Sequence, residues 1–558
     1  MPLEATSFAP YQLPESLSPA QGARISSEFA AEPLLVAAGT ALPPGLPVRT
    51  MALVPSGLAA APEEACLALD GTPAGGGAAS ACSSSERNRL HVAEATAAAL
   101  AAGFAGVCLD RPDGPLALGL LGAGFCPECR VAFHRALIRD FGDQLAPFDY
   151  AHLFREALAQ APGALDFEQL PFGREFWRFR HDSLVRAVAE QARDARDAAR
   201  AAGHALDVAA RFEAIGPAQF GAARHVDAAV FPAAAGGRMA GTGTFRLLRA
   251  VMGRRPCAVE APAGAPVDGL ARLAVAGAAL GIELAGLDGE ALRSLAGVRR
   301  FAQALGARRQ APTTGSPVVE CAVLYSQDSD LWTAGRHRVA VEEAGEALAA
   351  LHVQAPVVLR VADAPPSAAL VLAETRALAA VEIQAVVRRL EAGGSVLTFG
   401  RVSAADASGR PAHHDALPEG KPGGVRVGKG TLVSFPTLAP RPSTGLAPGP
   451  TSLDPISRAL SLLLGKGRRA ASVVARSPVQ VALYQDDSAL EAHVVSLSGE
   501  PVRGATLFLG SHVAGSVKWA RFQSVDGTDD RIAMNPSGYS LSTVLPAFRG
   551  YAVLSLSA

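Results

Sequence analysis

Lysine is almost absent. The chain has 558 residues but only four lysines, Lys421, Lys429, Lys466 and Lys518, so arginine carries nearly all of its positive charge. Net charge is scarce as well. At −1 there is no excess with which to hold a polyanion, which argues against a nucleic-acid-binding surface and against an acidic solvating tail. Cysteines number seven, an odd count thinly spread over a long chain, which excludes a disulfide framework. Long hydrophobic runs are missing too. The alanine-rich stretches near 96–102 and 272–281 are short and glycine-broken, so no membrane span is expected. The start, MPLEATSFAPYQLPESLSPA, has neither a basic n-region nor an apolar core, so no signal peptide is expected and a cytoplasmic location is the default.

What is present is an α/β pattern. With 49% of residues apolar, each of roughly three domains can bury a core. PLLVAAG (33–39), VRTMALVPS (48–56), GFAGVCLD (103–110), LDVAARFE (206–213), VDAAVFP (226–232), RPCAVEAP (255–262) and LGIELAGL (280–287) have the composition of buried parallel strands. Helical spacing fills 86–102, 129–141 and 174–202 between them. This alternation over residues 1–310 predicts a (β/α)-barrel, complete or lacking a strand, with a doubly wound sheet as the fallback. RRQAPTTGSP (308–317) reads as a linker. A second α/β pattern then predicts a flavodoxin-like domain over 318–440, with 401–475 expected to be loop-rich. Strands without intervening helices predict a C-terminal antiparallel β domain, a small sandwich, over 470–558.

The chemistry-bearing residues are few. Cys126-Pro127-Glu128-Cys129 precedes a helix and leaves three readings open. It is half of a structural zinc site, a redox pair activated by the helix dipole, or a plain turn with reduced thiols. Cys66, Cys82, Cys108, His134 and His152 are the nearest candidates for further metal ligands. Three acids close barrel strands, where the active face of such a fold lies: Asp110, Glu213 and Glu260. Each could instead pair with a nearby arginine, namely Arg111, Arg211, Arg254 or Arg255. In the second domain the strand AALVLAE would lead into an elbow at Thr375-Arg376-Ala377. No cysteine stands there, and Cys321 lies inside a strand, so no amidotransferase chemistry is expected.

GFAGVCLDRPDGP…GFCPECRVAFHRALIRDFGD resembles one stretch of the family 42 β-galactosidases and related barrel glycoside hydrolases. In these a strand ends in an acidic phrase, a cysteine-containing turn follows, and a helix reads A-F-R-x-x-L…Y-G. The matching residues are Asp110, Phe125-Cys126-Pro127-Glu128-Cys129, Ala132-Phe133-His134-Arg135 and Phe141-Gly142. Gly124 stands where the family's first cysteine would. Phe176-Trp177-Arg178-Phe179-Arg180-His181-Asp182-Ser183 is similar to the W-x-F-R-x-D-S helix of those enzymes. VLYSQDSDLW with Gly393-Gly394 is similar to their amidotransferase-like trimerisation domain, and LPAFRGYAVLSL to their terminal β domain.

The resemblance implies a carbohydrate substrate, a homotrimer, no required cofactor and a zinc-bearing cysteine turn at Cys126 and Cys129. Glycoside hydrolysis needs one carboxyl group to protonate the leaving oxygen and one carboxylate to attack or to activate water. Asp110, Glu213 and Glu260 are the catalytic candidates, with Glu213 and Glu260 as the pair. Arg89, Arg111, Asp113 and Trp177 are the candidates for sugar binding. The alternative is an inactive relic that binds carbohydrate or acts as a scaffold. Three features favour it: Phe212 stands before Glu213 where the family's phrase is Asn-Glu, the cysteine is lost at Gly124, and aromatics are scarce (three Trp, six Tyr).

Overall fold

The computed structural model describes residues 11–12, 34–37, 50–56, 65–75, 80–82, 85–142, 148–160, 167–235, 238–262, 265–285, 295, 297–298, 300–302, 316–403, 405–411, 424–436, 450–464, 469–485, 489–498 and 500–557. Contacts divide the chain into two compact units. The first comprises Met1–Ser27, Ala31–Pro232 and Ala258–Glu260, and the second Glu28–Ala30, Ala233–Cys257 and Ala261–Ala558.

The first unit is built on strands β1 (Tyr11–Gln12), β2 (Leu34–Ala37), β3 (Thr50–Val54), β4 (Gly106–Asp110), β5 (Asp207–Arg211), β6 (Ala228–Pro232) and β7 (Cys257–Glu260). They lie side by side in chain order, and neighbours from β1 to β6 run parallel. That is the sequential order of a (β/α)-barrel. The interior of β4 and β5, Val107, Cys108, Leu109, Val208, Ala209 and Ala210, is fully buried, as expected of strands covered on both faces. All seven sequence-predicted segments contain a strand. The last of them, Glu283–Ala285, belongs to the second unit.

Helices α1 (Glu86–Ala101), α2 (Pro127–Phe141), α3 (Tyr150–Gln160) and α4 (Gly173–Ala201) accompany the strands. Their ends follow local chemistry. Ser85 caps α1 by accepting from the Asn88 N–H, Pro127 opens α2 where no amide partner is needed, and Gly142 ends it at φ +87°. One face of α2, Phe133 and Leu137, joins Phe125, Tyr150, Phe154, Phe176 and Phe179 in a buried aromatic cluster.

The second unit contains two further layers. Cys321–Leu324, Val357–Val358, Ala369–Ala373, Ser395–Phe399 and Gly430–Phe435 form a parallel sheet, with Val425–Val427 antiparallel at its edge. In chain order of the parallel strands the sheet runs 2-1-3-4-5, the flavodoxin-like order. After it come two antiparallel sheets, of six and four strands, that close on a common apolar core. This is the β-sandwich. Within 401–475, expected to be loop-rich, the structure describes four regular elements. Val425–Val427, Gly430–Phe435, a helix over Pro450–Leu464 and a strand over Ala471–Val474 form there. Short strands flanked by glycine and proline carry too little periodicity to be seen. No helix among the described residues is long and apolar enough to cross a membrane.

Candidate active site and metal centre

In parallel register Asp110 lies directly opposite Arg211, so the strand ends of β4 and β5 deliver a carboxylate and a guanidinium side by side. Arg211 Nη1 donates to Asp110 Oδ1 at 2.8 Å. Its Nε and Nη2 donate to Glu260 Oε2 and Oε1, at the end of β7, at 2.8 and 2.6 Å. One planar guanidinium therefore spans both carboxylates and keeps their nearest oxygens within about 8 Å of each other. Burial pulls the Arg211 pKa down, but the bonds to Glu260 and the charge of Asp110 outweigh it and leave it raised. The side chains are 11%, 18% and 24% exposed for Arg211, Asp110 and Glu260, shielded yet open at the strand ends.

The turn after β4 holds the neighbouring residues. Arg111 takes a left-handed backbone at φ +52°, a costly conformation for a residue with a side chain. Its N–H still bonds the Arg211 carbonyl at 2.8 Å, and its side chain reaches Glu213 at 3.1 Å. The turn sends Asp113 into the interior, where it is fully buried. There its carboxylate accepts from the Glu213 and Ala214 amides and from Gln219 Nε2. Burial pushes its pKa up to about 6 against the pull of those donors. Ser56, just after β3, donates from Oγ to the Asp110 carbonyl at 3.3 Å.

The sequence-derived candidates sort as follows. Asp110 and Glu260 meet on Arg211, whereas Glu213, the expected partner of Glu260, lies on Arg111. Asp113 anchors the loop after β5 from beneath rather than facing solvent. Arg89 pairs across α1 and α4 with Glu190 and Asp194, at 3.8 and 3.3 Å. Trp177 stacks on Phe167 at 5.9 Å between centroids and meets His181 edge-on at 4.3 Å. Arg211 itself was legible only as one of several possible counter-ions. A strand-end arginine flanked in space by strand-end acids leaves no trace in linear spacing.

Of the five candidates for further ligands, Cys66 and Cys82 join the cysteine turn. The sulfurs of Cys66, Cys82, Cys126 and Cys129 all lie within 4.8 Å of one another, and all four residues are buried. Cys82 Sγ is 3.2 Å from Cys126 Sγ and 3.4 Å from Cys129 Sγ. Four thiolates around a tetrahedral zinc have sulfurs about 3.8 Å apart, so the donor set fits a structural zinc site and could hold a metal ion. The Gly124 N–H donates to Cys66 Sγ at 3.1 Å, the bond that stabilises a ligating thiolate. Gly124 therefore serves the cluster by its backbone. A redox role for Cys126 and Cys129 lacks the exposure that reactive thiols need.

Arg180, from the W-x-F-R-x-D-S-like helix, clamps the same loop by donating to the carbonyls of Pro115, Gly119 and Leu120. Burial lowers its pKa to about 10, and it remains a cation at neutral pH. In the second unit, the position after strand Ala369–Ala373 is held by Glu374 at φ +47°, and Cys321 is fully buried with its thiol pushed by burial to about 12. Neither arrangement offers a thiol nucleophile.

No protein-family model and no curated protein matches the sequence. Solved structures do. The α-L-fucosidase isoenzyme 2 of Paenibacillus thiaminolyticus superposes with a TM-score of 0.69 at 13% identity, covering 99% of each chain. A β-galactosidase from Bacillus circulans sp. alkalophilus gives 0.66 at 11%, covering 99% of this chain and 98% of that one. Gan42B, a GH42 β-galactosidase from G. stearothermophilus, gives 0.66 at 12% with the same coverage. Near-complete coverage in both directions extends the likeness through barrel, flavodoxin-like sheet and sandwich, and the chain has the fold of the GH42-type glycoside hydrolases.

Proposed function

We propose that this chain is a glycosidase whose carboxylate pair is Asp110 and Glu260. The observation that carries this reading is their convergence on Arg211 from the C-terminal ends of two separate barrel strands. Glu260, oriented by two bonds to one guanidinium, suits the nucleophile. Asp110, held by a single bond, suits the acid/base. Asp110 would give its proton to the leaving oxygen while Glu260 attacks the anomeric carbon. Water deprotonated by Asp110 would then cleave the glycosyl ester and release Glu260. The fucosidase and β-galactosidases of the same fold support a glycoside or oligosaccharide substrate. A structural zinc at Cys66, Cys82, Cys126 and Cys129 belongs to the same proposal, as do a carbohydrate-facing role and the trimer implied by the resemblance.

A second reading has one observation in its favour. Each of the three strand-end acids is paired with an arginine, Asp110 and Glu260 with Arg211 and Glu213 with Arg111. A relic that binds sugar without cleaving it would keep such closed pairs. Assay on aryl β-galactosides and aryl α-fucosides separates the two. The glycosidase reading expects turnover that Glu260→Gln and Asp110→Asn each reduce by about a thousandfold or more. It also expects azide to rescue Glu260→Ala as a glycosyl azide. Absence of turnover from the folded wild-type chain, or its survival in both variants, sinks this assignment.

A further inference from the structure

The turn after β4 is strained in a way that its own bonds do not require. Arg111 has φ +52° and precedes Pro112. A residue before proline is steered to extended backbone, so the position is unfavourable twice over. The bonds that make the turn are backbone ones. The Arg111 N–H donates to the Arg211 carbonyl at 2.8 Å, and the Arg111 carbonyl accepts from the Gly114 N–H at 3.1 Å. Glycine would make both without strain. What glycine lacks is the guanidinium, whose Nη1 lies 3.1 Å from Glu213 Oε1. The two side chains are 44% and 35% exposed, and an ion pair so open to water adds less stability than a left-handed arginine costs. Stability does not account for this arginine.

The pair stands at the ends of adjacent strands. Arg111 follows Asp110 of β4, and Glu213 comes just after Arg211 of β5. Both are fixed through the backbone, Arg111 by its bond to the Arg211 carbonyl and Glu213 by its N–H, which donates to Asp113 Oδ1 at 2.9 Å. A donor and an acceptor are thus presented side by side, next to the carboxylates on Arg211, with little left to order on binding. A hydroxyl is donor and acceptor at once, so sugar hydroxyls can donate to Glu213 and accept from Arg111. A carboxylate can only accept. It would satisfy Arg111 but set its charge against Glu213, and against Asp110 and Glu260 nearby. Those three carboxylates already share the guanidiniums of Arg111 and Arg211.

We propose that Arg111 and Glu213 bind the hydroxyls of a neutral sugar at the barrel mouth, and that Glu213, by masking Arg111, excludes acidic sugars. Arginine is kept in a backbone conformation that favours glycine because its side chain holds the ligand. The choice of ligand class rests on the carbohydrate reading above, but the role of the pair does not depend on whether the bound sugar is cleaved.

The test is NMR titration of the full chain with methyl β-galactoside, methyl β-glucoside and methyl α-fucoside, and with the uronides that match the first two. Wild-type chain should bind a neutral glycoside and neither uronide. Arg111→Gly should weaken that binding by about tenfold while its melting temperature holds or rises, because strain is released. Glu213→Gln should weaken it several-fold and admit a uronide, because the amide no longer repels the carboxylate. The proposal is overturned if wild-type chain binds no neutral glycoside or binds a uronide. It is equally overturned if Arg111→Gly keeps the binding or melts lower, or if Glu213→Gln still rejects both uronides. Hydrolysis of aryl glycosides is scored apart. Sugar bound through Arg111 but never cleaved fells the glycosidase reading and leaves this one. Turnover whose KM neither variant raises fells this one and leaves the glycosidase reading.

Discussion

At the scale of single residues, Arg211 decides the character of the barrel mouth. It is the counter-ion of both Asp110 and Glu260, and its own side chain is nearly buried. Arg211→Met would leave two carboxylates facing each other without a cation. Urea unfolding should show a loss of about 3 kcal/mol, in line with breaking a buried pair. Any glycosidase activity should fall as well, because Glu260, the proposed nucleophile, loses both of its orienting bonds. Asp113 is a different case. Its oxygens receive only donors, so Asp113→Asn would set an NH₂ group against an amide N–H. A loss of about 1–3 kcal/mol is expected in the same experiment. Sequence spacing ranked Asp110 and Glu260 well, since both close strands. It paired Glu260 with Glu213, whereas in space Glu260 shares Arg211 with Asp110, because which strand ends face each other is a property of the sheet and not of linear spacing.

At the scale of elements, the segment from β4 to α2 is held at several points. Arg180 bonds three of its carbonyls, and the Tyr150 hydroxyl donates to the Gly124 carbonyl at 2.5 Å. Gly124 has φ +100°, and a Cβ there would meet the Phe176 ring at 2.9 Å. Gly124→Ala should therefore lower the melting temperature by several degrees, about 1–3 kcal/mol of strain and overpacking. The cysteine cluster ties this segment to the chain near Cys66 and Cys82. Metal analysis of purified protein should find one zinc per chain, and Cys82→Ser should lose it together with several degrees of melting temperature. A full complement of thiols titrating without metal release would instead leave four reduced cysteines in a packed turn. Only Cys126 and Cys129 were readable as a pair, because their spacing is local. Cys66 and Cys82 come from 44 to 63 positions away, and linear order offers them only as two of five candidates for the remaining ligands.

At the scale of the whole molecule, the second unit carries a buried imidazole with consequences for pH. His337 Nε2 accepts from the Ser326 N–H at 2.9 Å, and Nδ1 contacts the Ala373 carbonyl at 2.8 Å, an arrangement that suits the neutral ring. Burial lowers its pKa to about 4. The unfolded chain takes up the proton near pH 6.5, the native state only near 4. Stability from this group is therefore complete above about pH 6.5, is lost as pH falls toward 4, and changes no further below that. Up to about 3 kcal/mol is at stake. His337→Gln should be less stable at pH 7 yet show a shallower decline between pH 6.5 and 4 in denaturant titrations.

The strand-rich α/β pattern and the change to a strand-dominated tail were determined by sequence alone. These are local periodicities and compositions, and each segment obeys them wherever it ends up. The strands within 401–475 escaped notice because they are short and interrupted. What only the tertiary structure decided is which distant groups meet: Arg211 between Asp110 and Glu260, and four cysteines around one centre. Such meetings depend on sheet order and register, which bring together residues a hundred or more positions apart, and no local pattern encodes that distance.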